Sequence, residues 1–74
     1  MPTRTFTAAI HTEGDVYVAL CPELDIASQG ETIETSRANL REAIELFLET
    51  AGPQEIAERL HGEVYLSSFE VKIG

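Results

Sequence analysis

The side chains of this chain that could carry out chemistry are one cysteine, two histidines and thirteen carboxylates. Glu23 and Asp25 lie two residues apart in a short polar stretch. Two carboxylates at that spacing could hold a divalent cation or act as an acid and a base, as in a small metal-dependent hydrolase. No third carboxylate is tied to them by a recognisable motif, so ordinary turn chemistry, in which Asp is common, is favoured.

The single thiol, Cys21, could be a nucleophile if a neighbouring base lowered its pKa. Free cysteine is among the most buried residue types, so a small hydrophobe at the end of a strand is favoured instead. His11 and His61 are far apart in sequence and do not complete a zinc ligand set with one thiol. His61 suits a helix end, where a cation interacts favourably with the dipole. We therefore predict no catalytic residue, no metal and no cofactor.

Charge and length restrict the partners that this chain can have. Its 74 residues carry 5 Lys and Arg against 13 Asp and Glu, a net charge of −8. Such a surface repels phosphate backbones and attracts basic partners, so no direct nucleic-acid binding is expected. No apolar stretch resembles a signal peptide or a membrane span, which predicts a cytoplasmic protein. A domain this small buries only about 60% of its unfolded surface, so self-association is the expected route to stability.

Alternating apolar residues predict a β-hairpin in the first twenty residues. Thr5 to Thr12 is predicted as the first strand, Glu13-Gly14 as the turn and Asp15 to Cys21 as the return strand. A two-residue turn at Glu13-Gly14 would pair Ile10 with Tyr17. A turn one residue longer would exchange the faces of the two strands.

The second predicted strand is apolar on both faces under either register. A sheet in a small α+β domain usually has one face covered by a helix and one wet face. The second apolar face therefore needs a partner, and we expect another copy of the chain to supply it. The predicted oligomer interface consists of three side chains on that face, Val16, Val18 and Leu20.

The remaining elements follow from proline, glycine and helical spacing. Pro22 ends the second strand, and Ile26 to Gln29 is predicted as a third strand that stops at Gly30. Thr32 is the predicted N-cap of a main helix, because apolar residues recur at steps of three, four and seven from Ile33 onward.

Gly52-Pro53 is expected to end the main helix. Gln54 to Leu60 is predicted as a short second helix, and Glu63 to Ile73 as a last strand that joins the sheet. The order is β-β-β-α-α-β in one domain spanning residues 1–74. We predict a two-layer α+β fold in which one main helix covers an antiparallel meander.

The stretch VYVALCPELDIASQGETIETSRANLREAIELFLE resembles the HicB-like antitoxin family. The shared pattern is an aromatic-led strand ending in Pro-Glu-Leu, then Gln-Gly-x-Thr, then a helix rich in Glu and Ala. The sequence differs at Asp25-Ile26-Ala27, where the family usually has Pro-Gly-Cys, and at Thr35-Ser36, where Glu-Ala is usual. Many members also carry a DNA-binding domain, and these 74 residues include none. The matching positions are Tyr17, Ala19, Pro22, Glu23, Leu24, Gln29, Gly30, Thr32, Glu34, Asn39, Ala43 and Leu46.

The resemblance implies a degenerate RNase H-like fold that lacks the nuclease's catalytic carboxylates. It also implies a homodimer or higher assembly that neutralises a small basic HicA-type toxin, an mRNA-cleaving ribonuclease, by occluding its active site. We interpret the chain as a stand-alone, non-enzymatic antitoxin-like module. An orphan oligomeric module without a toxin partner, and a hydrolase using Glu23 and Asp25, are the alternatives.

An acidic surface is the candidate binding site for a basic toxin. The same carboxylates could instead form a solvated face whose ion pairs contribute only tenths of a kcal/mol. The candidate partner-binding residues are Glu23, Asp25, Glu42, Glu45 and Glu49.

Overall fold

The computed structural model, which describes residues 3–60 and 62–74, contains a three-stranded antiparallel sheet and two helices. The α+β class, the meander, the main helix and the short second helix are confirmed. The strands lie in the order β1-β2-β3. Along the chain the elements are β1 (Ala9–Glu13), β2 (Val16–Cys21), β3 (Ile26–Gly30), α1 (Ile33–Thr50) and α2 (Pro53–Arg59).

The turn between β1 and β2 lies one residue later than predicted. Glu13 pairs with Val16 and Ile10 with Ala19, so the predicted pairing of Ile10 with Tyr17 is wrong. Gly14 takes the first central position of the turn with a φ of 59°. Two-residue hairpin turns require a positive φ there, which glycine adopts without a steric penalty. The register moves by two residues, so each side chain keeps its predicted face.

The first strand begins at Ala9, whereas Thr5 was predicted. The reason lies in the partner strand, which ends at Cys21 because Pro22 has no N–H to donate. Continuing the register would place Thr7 opposite Pro22. The backbone N–H of Thr7 instead donates to the Glu23 carboxylate at 3.1 Å.

Helix α1 begins and ends as its sequence predicts. Thr32 is the N-cap, and its hydroxyl accepts a hydrogen bond from the Thr35 N–H at 3.0 Å. The helix closes at Ala51, before Pro53 starts α2. Neither helix in the described residues is long and apolar enough to cross a membrane.

The core lies between one sheet face and α1. Ala19 and Cys21 of β2 meet Leu40 and Ile44 of α1, and Leu24 from the turn after β2 completes the cluster. Their relative exposures run from 0% to 7%, so this cluster is the dry centre of the domain. The helix packs mainly over β3 and β2 and much less over β1. The β1 side of this sheet face is therefore less covered.

The predicted last strand is wrong for the chain taken alone. Residues 63–74, the C-terminal segment, contain no strand or helix, and every one of them is exposed. Tyr65, Phe69 and Ile73 are 83%, 84% and 92% exposed. A strand needs a neighbouring backbone to pair with, and this segment lies off its own sheet.

Candidate functional site

The turn Pro22–Asp25 is held in place from two directions. Leu24 is 1% exposed, and its carbonyl accepts a hydrogen bond from the Arg59 guanidinium at 2.7 Å. Arg59 also lies over the Phe47 ring, 5.1 Å from its centroid. Asp25 completes the reversal with a φ of 55°, a left-handed conformation that Asp tolerates better than most residues. This turn therefore connects the sheet to α2.

Both carboxylate oxygens of Glu23 accept hydrogen bonds from within the chain. The Thr7 hydroxyl donates to one at 2.6 Å, and the Thr7 N–H and the Cys21 thiol donate to the other at 3.1 and 3.4 Å. Burial alone would raise the pKa of Glu23, but the hydrogen bonds from Thr7, its own backbone and Cys21 together lower it below its usual range. Glu23 is thus an ionised acceptor that joins the start of the chain to the turn.

The Cys21 thiol lies in an environment that disfavours the thiolate. It is fully buried, and burial is the largest of the influences that raise its pKa, with the Glu23 carboxylate adding to the rise. His11 projects from the opposite face of the sheet and pairs with Glu13 at 3.5 Å. His61 lies outside the described residues. The thiol is therefore a protonated core group, and the one histidine among the described residues, His11, lies on the other face of the sheet.

Glu23 and Asp25 are not brought together as a pair of ligands. Glu23 is directed at Thr7, whereas Asp25 is exposed at the end of the turn. Among residues 3–60 and 62–74, no three His, Cys, Asp or Glu side chains cluster as metal ligands would.

The solvent-facing side of α1 brings the other predicted partner-binding residues together. Glu42, Leu46 and Glu49 are spaced by four and three residues and share one face, with Glu45 beside them. Leu46 is 60% exposed. Within the described part of the chain, the ion pairs of α1 consist of Arg41–Glu45, at 3.8 Å. We call the surface formed by Glu42, Glu45, Leu46 and Glu49 the acidic helix face.

The predicted oligomer interface lies on the sheet face away from α1. Val16, Val18 and Leu20 point there, while Ala19 and Cys21 enter the core. Val18 has His11 and Gln29 as its cross-strand neighbours. The three predicted side chains are only partly buried, and neither described helix lies on them. We call this surface the open sheet face.

Sequence reasoning missed two residues that position the turn. Thr7 and Glu23 are 16 residues apart, and Arg59 and Leu24 are 35 apart. A cation in the last turn of α2 was a visible signal for Arg59, since such residues often bond carbonyl groups. Thr7 gave no signal, because a threonine in a strand pattern is usually explained by strand propensity alone.

Comparison of the chain with family models, curated proteins and solved structures gives no match.

Proposed function

We propose that this chain is a non-enzymatic, antitoxin-like interaction module with a degenerate RNase H-like fold, which associates with itself and binds a small basic HicA-type toxin in the cytoplasm. The observation that carries the proposal is the acidic helix face, where three carboxylates surround a leucine that is 60% exposed. The HicB-like pattern in residues 16–49 supports the class of partner.

The acidic helix face is compensated only in part within the described residues, where Arg41 pairs with Glu45 at 3.8 Å. Glu42 and Glu45, and Glu45 and Glu49, are like charges three and four residues apart, which destabilises a helix by tenths of a kcal/mol per pair. Like charges kept as neighbours on a helix, with one ion pair to offset them, are expected where the residues serve a function. Cations on a partner would offset the repulsion, and Leu46 would supply a central apolar contact.

Binding at this face would act by occlusion. Opposite net charges speed the encounter of the two proteins, and burial of Leu46 slows their separation. The module covers the toxin's catalytic surface and takes no part in chemistry. The buried, protonated Cys21 and the hydrogen-bonded Glu23 fit a passive role.

The proposal includes self-association through the open sheet face. Val16, Val18 and Leu20 form an apolar row that neither described helix covers. Covering that row with a second copy would remove apolar surface from water, at about 25 cal/mol per Å². A chain of 74 residues has a small core, so this contribution would be a large share of its stability.

The test uses a HicA-type ribonuclease encoded beside the gene for this chain. We expect one equivalent of the module to suppress cleavage of RNA by that ribonuclease. The double variant Glu42→Lys/Glu49→Lys should slow association about tenfold at low salt, measured by stopped-flow fluorescence, because electrostatic steering is reversed. Glu13→Lys/Asp15→Lys, the same change in net charge at the distant hairpin turn, is the control and should alter the rate far less.

Three results would contradict the proposal. One is a ribonuclease that stays fully active with excess module, and another is an equal effect of the control and the double variant. The third is a gene neighbourhood without a small basic protein, which would favour the orphan oligomeric module.

A further inference from the structure

The C-terminal segment has an apolar strand sequence but pairs with none of the described strands. Six large apolar side chains in it are between 41% and 92% exposed. Tyr65, Phe69, Val71 and Ile73 fall on one face of an extended strand, with Ser67 as the one polar residue between them. Contiguous apolar surface of this kind on a small protein marks a contact site.

The segment lies off the folded body. The radius of gyration is 14.4 Å and the longest axis is 48 Å. A compact chain of 74 residues has a radius of gyration of about 11 Å. Gly62 is not in the left-handed conformation that would help to turn the chain back after α2.

A groove of about 680 Å³ runs beside the N-terminal residues that lead into β1. It exists because α1 packs mainly over β3 and β2 and leaves the β1 side of the sheet less covered. Its apolar wall consists of Phe6, Ala8, Leu40, Ile44, Leu48 and Leu60. We call it the β1 groove.

The β1 groove adjoins a free edge of the sheet. β1 pairs with β2 on one side, and no described strand pairs with its other side. Such an edge presents unpaired N–H and C=O groups that can accept another strand. The β3 edge is less open, because Asn39 of α1 donates to the Gln29 carbonyl at 2.8 Å. An added strand therefore has its best position along β1.

The charges of the β1 groove and the C-terminal segment are complementary. Arg4, Arg37 and Arg41, three of the five Lys and Arg residues in the chain, line the groove. One carboxylate, Glu45, also lines it and pairs with Arg41, so the arginines still outnumber the acidic groups. The segment carries Glu63 and Glu70 against one lysine. In a protein with a net charge of −8, a positive groove is an unusual feature that suits an acidic strand.

We propose that the C-terminal segment of one copy occupies the β1 groove of a second copy and pairs with the free edge of β1, and that the exchange is reciprocal. The three-stranded sheet of each copy thereby gains a fourth strand, supplied by the other copy. Exchange of an identical element is a low-cost route to a dimer, because each interface is made twice. The inference rests on the self-association within the proposed function and is independent of any toxin.

The first experiment measures mass by light scattering at about 50 µM. The wild type should have at least twice the 8.1 kDa mass of one chain. Phe69→Asp/Ile73→Asp should lower the mass at least twofold, because both side chains enter the apolar groove. Ser68→Asp, which adds a charge on the other face of the same segment, is the control and should keep the wild-type mass. Phe69 and Ile73 are exposed within their own chain, so circular dichroism should show that the double variant keeps its fold.

The second experiment distinguishes exchange from folding back within one chain. The variant Ile73→Cys is spin-labelled and mixed with ¹⁵N-labelled wild type. Cys21 is buried and should not react, and mass spectrometry confirms that each chain carries one spin label. Exchange predicts that the spin label broadens the Ala8, Ile10 and Leu48 amide signals of the ¹⁵N-labelled wild-type copy. A monomeric wild type, an unchanged mass in Phe69→Asp/Ile73→Asp, or no broadening in the ¹⁵N-labelled wild type would each overturn the inference. Toxin binding through the acidic helix face is measured separately and can fail or succeed on its own.

Discussion

The sheet approaches the start of α1 closely at Gly30, the last residue of β3. A Cβ atom there would lie 2.6 Å from the Ser36 nitrogen and 2.8 Å from the Thr35 carbonyl carbon. Ordinary van der Waals contact begins at about 3.4 Å, so the first turn of α1 must move by about 0.8 Å to accept a methyl group. Backbone atoms cannot rotate aside as a flexible side chain can. Gly30→Ala therefore separates α1 from the sheet at the point where the helix starts.

The loss of stability in Gly30→Ala depends on the contacts that hold the first turn of α1 in place. The Ser36 N–H donates to the Thr32 carbonyl at 2.9 Å, and the Asn39 amide donates to the Gln29 carbonyl at 2.8 Å. Overpacking costs about 1–3 kcal/mol and a weakened hydrogen bond about 1 kcal/mol, while replacing glycine restores about 0.5 kcal/mol through the unfolded chain. We expect the free energy of unfolding to fall by about 2–3 kcal/mol and Tm by roughly 10–20 °C.

Urea unfolding followed by circular dichroism measures this change. All variants are compared at one protein concentration, because self-association makes apparent stability depend on it. Gly62→Ala is the matched control, since nothing lies within 4 Å of its added Cβ and its φ is not left-handed. It should change stability by less than about 0.5 kcal/mol. If Gly30→Ala stays within that margin of the control, the close approach does not constrain the fold and the reasoning is refuted.

Two further predictions concern pH and assembly. Folding lowers the pKa of Glu23, so below the ordinary glutamate pKa of about 4.3 the unfolded chain binds a proton that the folded chain does not. The free energy of unfolding should therefore fall as pH drops through that window, and Glu23→Gln should flatten this part of the urea-measured profile; an unchanged slope would exclude Glu23 as its source. Val18→Asp places a charge on the open sheet face and should reduce the mass seen by light scattering while circular dichroism stays the same. A variant of wild-type mass and fold would remove that face from the interface.

Much of the architecture is readable along the chain, because the signals are local. The helical spacing after Ile33, the Thr32 N-cap and the Gly52-Pro53 stop are each written within a few consecutive residues, and α1 runs over the predicted span. Pro22 likewise ends β2 at the expected residue. The acidic residues of α1 could be assigned to one face from the helical period alone.

Features that depend on distant residues could not be read in this way. The exact start of β1 depends on Thr7 and Glu23, which meet only after the chain has reversed twice. The pairing of residues between β1 and β2 could not be fixed from the sequence, because the turn can shift by one residue while the alternation of apolar side chains stays the same. The last strand was predicted from its alternation, yet its pairing depends on which backbone lies beside it. Periodicity records which face of an element is apolar; the folded chain shows what covers that face, and here the C-terminal segment lies off its own sheet.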